Sequence, residues 1–197
     1  MPLQFFLTKN PTVLAEYFEL RGRVYRRHYP SLTEDFGRAE AADDQSLILV
    51  GYEDRVVAGG RITISTPAKP QPMPMEEAGF RLAAALEGVG RSFRLDEQPY
   101  AEFSRVAVDP DYAGGRRCGL GLICALAHAA ASLGVDLVFS MCPEPMVRLN
   151  EINSRKVGVT FHPFPEIAVP NPFGMHMILC AYTGLIGADH GALGLTA

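Results

Sequence analysis

The stretch that decides the fold is Val106-Ala-Val-Asp-Pro-Asp-Tyr-Ala-Gly-Gly-Arg-Arg-Cys-Gly-Leu-Gly121. Its pattern predicts the end of a strand, a turn rich in glycine and the beginning of a helix that ends at Gly134. The N-terminus of a helix presents unpaired N–H groups and the positive end of the helix dipole, so it binds anions. The stretch therefore predicts a phosphate site. It has neither the Gly-Lys-Ser/Thr of a Walker loop nor the glycine spacing of a dinucleotide-binding turn.

The hydrophobic pattern on either side of this stretch predicts a mixed α/β sheet flanked by helices. Strands are expected over residues 3–7, 46–52, 56–64, 100–108, 137–142, 160–162 and 175–182, and helices over residues 11–28, 75–86, 116–133 and 144–156. We find no internal repeat and no linker, which predicts a single domain over residues 1–197. The glycine-rich segment 183–197 is expected to be a mobile tail.

Composition excludes several classes of protein. The chain has 197 residues and a formal net charge of -4, which argues against a nucleic-acid surface. No basic region precedes the first apolar residues and no apolar run is long enough to span a bilayer, so we expect a cytoplasmic protein. The cysteines show no CxxC spacing and are expected to be free thiols: Cys118, Cys124, Cys142 and Cys180. The histidines lack metal-binding spacing, and no metal is expected.

Charged residues interrupt several of the apolar patterns. Four of them lie inside the first helix or inside predicted strands: Arg21, Arg61, Glu102 and Arg105. A buried charge needs a partner, and Asp43 and Asp44 are the candidates for Arg21. We expect a buried ionic cluster beside a functional site, although such a network also occurs as pure scaffolding.

The phosphate stretch resembles a known pattern. Arg116-x-x-Gly119-x-Gly121 is similar to the Q/R-x-x-G-x-G/A motif with which GCN5-related N-acetyltransferases (GNAT enzymes) bind the pyrophosphate of coenzyme A. The resemblance implies a GNAT fold and an acyl-phosphopantetheine donor. It assigns donor binding to Arg116, Arg117, Cys118, Gly119, Leu120 and Gly121. A glycine-rich turn with surface arginines is the alternative.

A narrower resemblance extends over the N-terminal half. Acyl-homoserine-lactone (autoinducer) synthases and the related N-acyl amino acid synthases carry a similar succession of residues, here Arg21, Tyr25, Asp43, Asp44, Arg61, Phe80 and Glu102-Phe-Ser104-Arg105. The chain has no tryptophan, whereas the autoinducer synthases usually have one after the first helix. Their acidic cluster also has a different spacing, and their phosphate loop is usually degenerate. These differences favour the N-acyl amino acid synthases, such as the N-acyltyrosine synthases.

The resemblance implies roles in amide formation. Glu102 would be the general base that deprotonates the amine. A bulge in the central strand would direct the backbone amide of Val106, Ala107 or Val108 to the thioester carbonyl. It would also bring Arg105 to the same face of the sheet as Glu102. Arg21 and Arg61 would compensate the acceptor's carboxylate, and Arg105 would either clamp it or be a structural partner for the acidic residues.

The acyl chain and its carrier have their own candidate residues. An apolar tunnel is predicted from Phe103, Leu137, Phe139, Met141 and Met146, for which core packing is the alternative. Arg148, Arg155 and Lys156 would dock an acidic acyl carrier protein, or form a solvated helix face. The predicted function is transfer of a long-chain acyl group from acyl carrier protein, or coenzyme A, to an amino acid such as tyrosine. Alternatives are lactone synthesis from S-adenosylmethionine, acetyl transfer from acetyl-CoA, and non-catalytic binding of an acyl ligand.

Overall fold

A computed structural model describes residues 2–30, 32, 35–77, 79–113, 116–171 and 173–188, with the backbone alone at 113, 116 and 117. Seven strands form one mixed sheet in the order β1-β2-β3-β4-β5-β7-β6. The strands are β1 (Gln4–Thr8), β2 (Leu47–Tyr52), β3 (Val56–Ser65), β4 (Tyr100–Val108), β5 (Leu137–Pro143), β6 (Thr160–Ala168) and β7 (Met177–Thr183). Strands β4 and β5 are parallel, and the other neighbours are antiparallel. The predicted α/β fold with a mixed sheet is confirmed.

Helices cover both faces of this sheet. They are α1 (Pro11–His28), α2 (Ala41–Asp44), α3 (Leu82–Gly88), α4 (Pro110–Ala113), α5 (Arg116–Ser132) and α6 (Glu144–Lys156). The side chain of Asn10 accepts hydrogen bonds from Thr12 and Val13 N–H groups, which fixes the start of α1. Alternation in β2 shows the two faces: Ile48 and Val50 pack beneath α1, whereas Leu49 belongs to the core around α5.

The helix predicted over residues 75–86 is interrupted. A 3-10 turn covers Pro74–Glu76, and α3 begins only at Leu82. Gly79 between them has a positive φ of 83°, which ends a right-handed helix. The Glu76 carboxylate accepts hydrogen bonds from the N–H groups of Met73 and Leu82, so it stabilises the turn and the start of α3 together.

The segment after β7 is packed as far as it is described. Leu185 is 1% exposed and Ala188 is 8% exposed. The Asp136 carboxylate accepts hydrogen bonds from the N–H groups of Gly184 and Ile186. The mobility expected from residue 183 onward stays a prediction, and 189–197 lie outside the described residues. Within the described part of the chain, no helix combines the length and apolar character needed to cross a membrane.

Candidate active site

A cleft opens in the middle of the sheet because β4 and β5 diverge. Over their described lengths they pair only at Ala101 with Val138 and at Glu102 with Phe139. Beyond these residues the two parallel strands separate toward their C-terminal ends. In an open α/β sheet, the carboxyl ends of strands are where ligands bind. The divergence creates a gap in the sheet that a slender ligand could enter.

A bulge in β4 shapes one wall of this gap. Gly59 of β3 pairs with Ala107 and Arg61 pairs with Ser104, so β4 carries one more residue than β3 between these pairs. Arg105 has a positive φ of 54°, in the left-handed region. The Tyr17 hydroxyl donates a 2.7 Å hydrogen bond to the Arg105 carbonyl and anchors the bulge from α1. The predicted bulge is confirmed, and it changes which side chains share a face.

The cleft has a volume of about 330 Å³. Its walls come from α1, β4, α5, β5, α6 and β7. The residues that line it and that the sequence had singled out for the site are Tyr25, Phe103, Ser104, Arg105, Val106, Val108, Gly119, Met141 and Met146. Val106 is 40% exposed, whereas Ala107 is buried beneath α1. Of the three candidate amide donors, Val106 is therefore the one that lies both in the bulge and beside the cleft.

A buried ionic cluster lies next to the bulge. Arg21 donates to both oxygens of Asp43 at 3.1–3.2 Å, and Arg61 contacts the same carboxylate at 3.3 Å. Glu40 joins the cluster through a 2.9 Å bond from Arg61. Arg105 donates to both oxygens of Glu40 at 2.8 and 2.9 Å. Three guanidinium groups thus share two carboxylates.

The acidic partners differ in one position from those expected. Asp43 is 8% exposed and lies at the centre of the cluster. Asp44 is exposed and has no ion pair with the residues that the structure describes. Successive residues of a helix point about 100° apart, so Asp44 turns away from the direction that Asp43 takes. Glu40 fills the second acidic position instead, three residues before Asp43.

Only one guanidinium of the cluster reaches the cleft. Arg21 is 0% exposed and also donates to the Phe36 carbonyl at 2.7 Å. Arg61 is 2% exposed, and its Nε donates to the Ser104 hydroxyl at 3.2 Å. Arg105 lines the cleft and stacks on the Phe36 ring, 4.7 Å from its centroid. Arg21 and Arg61 hold the acidic residues, whereas Arg105 is the cation available to a ligand.

The cluster shifts the ionisation of its carboxyl groups. Burial alone would raise the pKa of Glu40, but hydrogen bonds and charge from Arg105, with help from Arg61 and Arg21, hold it below its ordinary value. Burial would also raise the pKa of Asp43, but hydrogen bonds from Arg21 and the Glu40 N–H, together with the charges of Arg21 and Arg61, hold it below its ordinary value. Both residues are therefore ionised at neutral pH, as partners of the arginines should be.

The pKa of the Glu102 carboxyl is shifted in the opposite direction. It is 0% exposed, and burial raises the pKa of its carboxyl despite the hydrogen bond from the Met75 amide and the charge of Arg61. The Met75 N–H donates to Oε2 at 2.8 Å, and Oε1 has no hydrogen bond to the part of the chain that the structure describes. Glu102 does not line the cleft; Ser104, two residues further along the same face of β4, does. Its role as the base stays a prediction.

The glycines of the predicted phosphate motif have different environments. Gly119 lines the cleft, and a Cβ placed there would lie 3.5 Å from Asn153 Nδ2. Gly121 faces away from it, and a Cβ there would meet the Phe5 ring at 2.6 Å. Helix packing on β1 therefore accounts for Gly121, while Gly119 can allow close approach of a ligand.

The other residues of the motif contribute less to the cleft. Cys118 is 2% exposed, and burial raises its pKa to about 11. Leu120 packs against the core around α5. The side chains of Arg116 and Arg117 lie outside the described residues, so their contact with a donor stays a prediction.

Two of the predicted acyl-tunnel residues are core residues. Leu137 is 2% exposed and Phe139 is 0% exposed, in a cluster with Met73 and Leu179. The ring of Phe139 contacts that of Phe93 edge to face, with centroids 5.7 Å apart. Neither residue lines the cleft, because side chains from the loop before β4 and from β7 fill the space beside them.

Several residues of the cleft were not predicted. They are the aromatic and polar residues His28, Tyr29, Ser140, Cys142, Asn150, Asn153, Phe173 and Tyr182. Tyr25, Tyr29 and Phe173 form one aromatic wall, with ring centroids 4.8 to 5.7 Å apart. The periodicity of α1 could have indicated Tyr29, which follows Tyr25 by four residues. Nothing in the local sequence marks Phe173 or the two asparagines.

Comparisons with known proteins agree with this geometry. No family model matches the sequence, and no curated protein is similar enough to match it. Among solved structures, the chain is similar to the CoA-dependent acyl-homoserine lactone synthase BjaI with SAM and isopentyl-CoA. The TM-score is 0.68 and the identity 21%, over 99% of this chain and 90% of that chain.

Two further structures widen this comparison. The AHL synthase LasI gives a TM-score of 0.64 and 17% identity, over 99% of this chain and 96% of that chain. A proposed N-acetyltransferase from Lactobacillus plantarum gives 0.59 and 14%, over 91% of this chain and 96% of that chain. At these identities the comparisons establish the fold. The chain has the mixed α/β fold that acyl-homoserine lactone synthases share with GNAT acyltransferases.

Proposed function

We propose that the protein is an N-acyltransferase, which moves an acyl group from a phosphopantetheine thioester to the amino group of an amino acid such as tyrosine. The observation that carries the proposal is the bulged strand β4, which diverges from β5 beside an ionic cluster. A thioester in this gap would lie beside a candidate oxyanion donor, the Val106 amide, and beside Ser104, which follows the candidate base Glu102 by two residues. The same fold in synthases and acetyltransferases supports the general reaction.

The donor would enter from the α5 side of the sheet. Its phosphate would lie near the N-terminal turn of α5, where unpaired N–H groups bind anions. Gly119 allows close approach there, and the amides of Asn150 and Asn153 line the path of a pantetheine arm. These groups fix the position of the thioester, and positioning of this kind supplies several kcal/mol of a reaction barrier, about 7–11 in the best cases.

The acceptor would bind on the α1 side. Its carboxylate would pair with Arg105, the one cation of the described ionic cluster that lines the cleft. Three guanidinium groups share two carboxylates in this cluster, and an acceptor carboxylate would offset the remaining positive charge. The aromatic wall of Tyr25, Tyr29 and Phe173 suits an apolar or aromatic side chain.

Glu102 would accept the proton of the attacking amine. Its raised pKa brings it toward the range in which a carboxylate is an effective base near neutral pH. Among the described residues Oε1 accepts no hydrogen bond of normal length and angle, and the Ser104 hydroxyl, on the same face of β4, lines the cleft. As the amine nitrogen attacks, the Val106 amide would stabilise the oxyanion, and the carbon–sulfur bond then breaks to release the thiol.

The acyl group is proposed to be short or branched. Leu137 and Phe139 fill the region where a long tunnel was predicted. The acyl thioester would be carried either by acyl carrier protein or by coenzyme A. A groove of about 530 Å³ between α6 and β6 carries Arg148 and Arg155, but also Glu144 and Glu151, so it has no excess of positive charge for an acidic carrier.

Lactone synthesis from S-adenosylmethionine is the second candidate. The similarity to BjaI, which was solved with SAM and isopentyl-CoA, favours it. S-adenosylmethionine is itself an amino acid, so the same ionic cluster and aromatic wall would receive it. The two candidates differ in the product: the lactone requires a second ring-closing step, whereas an ordinary amino acid gives an open N-acyl product.

The test is an assay of the purified protein with butyryl-, isovaleryl- and palmitoyl-thioesters, on coenzyme A and on acyl carrier protein. Tyrosine, other amino acids and S-adenosylmethionine are offered as acceptors, and products are identified by mass spectrometry. We expect an N-acyl amino acid that Glu102→Gln does not form, although this variant still binds the donor. Glu87→Gln, at an exposed site in α3, is the control. Absence of any amide product, or full activity of Glu102→Gln, would refute the function or the base respectively.

A further inference from the structure

The hydroxyl of Tyr25 is a buried polar group that the cleft wall leaves unpaired. Tyr25 belongs to α1, is 8% exposed and lines the cleft. Its hydroxyl makes no hydrogen bond to the part of the chain that the structure describes, whereas the hydroxyls of Tyr17 and Tyr112 each donate one. A buried tyrosine hydroxyl normally has a hydrogen-bond partner. The Tyr25 hydroxyl is therefore available to a ligand.

Arg105 offers further donors on the same side of the cleft. Its Nε and Nη2 donate to the two oxygens of Glu40. A guanidinium carries five N–H groups, and Nη1 of Arg105 makes no hydrogen bond to the described residues. The Arg105 side chain is 16% exposed and lines the cleft. Glu40 thus occupies one edge of the guanidinium and leaves the Nη1 end for another acceptor.

The ring of Phe36 brings Tyr25 and Arg105 together. The Arg105 guanidinium lies over this ring, 4.7 Å from its centroid. The centroid of the Tyr25 ring lies 5.0 Å from the same centroid. Burial raises the pKa of the Tyr25 phenol to about 12, and the largest opposing effect is the charge of Arg105. Tyr25 therefore keeps its proton at neutral pH and is a second donor beside the guanidinium.

This pair of donors suits a carboxylate. A guanidinium only donates hydrogen bonds, and it repels other cations. A ligand group that meets both donors therefore accepts two hydrogen bonds and carries negative charge, as a carboxylate does. Arg105 directly precedes Val106 in the bulge, so the amine next to a carboxylate bound here would lie close to a thioester at the Val106 amide.

We propose that Tyr25 binds the acceptor's carboxylate together with Arg105 and so restricts the acceptors to amino acids; this inference rests on the proposed function, which supplies the acylation of an amine. The Tyr25 hydroxyl donates to one carboxylate oxygen and Arg105 Nη1 donates to the other. An amine without a carboxylate leaves both donors unpaired, and sites built to hydrogen-bond a substrate group reject analogues that lack it. Tyr25 is thus a specificity-determining residue, whereas proton transfer remains with Glu102.

The test offers tyrosine, tyrosine methyl ester and tyramine to the unmutated protein, to Tyr25→Phe and to Tyr52→Phe. Phenylalanine at position 25 keeps the ring and removes only the hydroxyl. Because a hydrogen bond to a charged group is lost, the KM for tyrosine should rise about 10- to 100-fold. Turnover should stay nearly unchanged, since the carboxylate is bound equally in the ground state and in the transition state.

The other measurements show that the effect is specific to the carboxylate. The unmutated protein should use tyrosine methyl ester and tyramine at a higher KM than tyrosine, and Tyr25→Phe should not raise these values further. The KM for the acyl-CoA donor should stay the same in every variant. Tyr52, which packs against Phe6 outside the cleft, is the matched control and should leave all values unchanged.

The outcomes separate this inference from the proposed function. An unchanged KM for tyrosine in Tyr25→Phe, or an equal rise for the methyl ester, overturns the inference and leaves the function intact. If the unmutated protein forms no amide, the function fails, and calorimetric titration with tyrosine decides the inference. The Kd should then be about 10- to 100-fold higher in Tyr25→Phe; equal values, or no binding to either protein, overturn it. If S-adenosylmethionine is the better acceptor, it replaces tyrosine, and decarboxylated S-adenosylmethionine replaces tyramine.

Discussion

Alanine at Gly121 and at Gly119 should have opposite effects, although the two glycines belong to one predicted motif. At Gly121 the added Cβ would lie 2.6 Å from Cε2 of Phe5. The Phe5 ring also meets a Cβ placed on Gly51 at 2.7 Å, so it is held in a slot between α5 and β2 and has little room to move. At Gly119 the nearest atom would be Asn153 Nδ2 at 3.5 Å, an ordinary contact.

The magnitudes follow from packing and helix propensity. Overpacking costs about 1–3 kcal/mol, and alanine is favoured over glycine inside a helix by about 1 kcal/mol. Gly121→Ala should therefore lower the free energy of unfolding by up to about 2 kcal/mol. Gly119→Ala should raise it by up to about 1 kcal/mol, while donor binding weakens because the methyl group enters the cleft.

Urea denaturation of both variants and calorimetric titration with CoA would measure these effects. Phe5→Ala in the Gly121→Ala background should recover part of the lost stability, and a double-mutant cycle gives the coupling between the two positions. If Gly121→Ala is as stable as Gly119→Ala, the Phe5 slot does not explain Gly121. If instead CoA binding is lost in Gly121→Ala and kept in Gly119→Ala, the assignment of the two glycines is reversed.

Three further predictions concern the ionic cluster and the bulge. Asp43→Asn should lower the free energy of unfolding by about 3–5 kcal/mol, because it removes the carboxylate whose two oxygens both pair with the buried Arg21, whereas Asp44→Asn should stay within about 0.5 kcal/mol; urea denaturation compares them. The lowered pKa values of Glu40 and Asp43 stabilise the fold at pH values above the ordinary carboxyl pKa. The free energy of unfolding, measured against pH, should therefore fall as the pH drops through the lowered values. In Glu40→Gln this fall should be shallower. Tyr17→Phe should cost about 1 kcal/mol, because it removes the hydrogen bond to the Arg105 carbonyl, and should lower turnover more than Asp44→Asn does.

The features that were predicted best from the sequence are those that short-range patterns determine. The end of β4, the start of α5 and the bounds of α1 all depend on local signals such as Asn10, Pro11 and the alternation around Glu102. The bulge was expected from the resemblance to the GNAT pattern, and side-chain parity added only that a bulge would bring Glu102 and Arg105 to one face. These predictions rest on the two periods of strand and helix, which are properties of the chain itself.

The rest depended on contacts between distant segments. Glu40 rather than Asp44 joins the cluster because α2 is a single turn whose orientation is fixed by Arg21 and Arg61. The burial of Phe139 depends on Phe93, far from it in the sequence, and Gly121 depends on Phe5. Sequence pattern shows that such residues are apolar or small, but not which neighbour uses that property.

Glu102 shows how stability and function can be separated at this site. A carboxyl with a raised pKa contributes nothing to stability at acidic pH and opposes folding increasingly as pH rises toward its folded value. A glutamine would still accept the hydrogen bond from Met75 and would not ionise, so Glu102→Gln should unfold at equal or higher urea concentration, with a gain that grows as pH rises above the ordinary carboxyl pKa. If the same variant loses amide formation, the carboxylate is kept at this position although it destabilises the folded state, as expected of a group retained for proton transfer. A variant that is both less stable and fully active would make Glu102 a structural member of the cluster, and the base would then have to be sought among the groups that line the cleft.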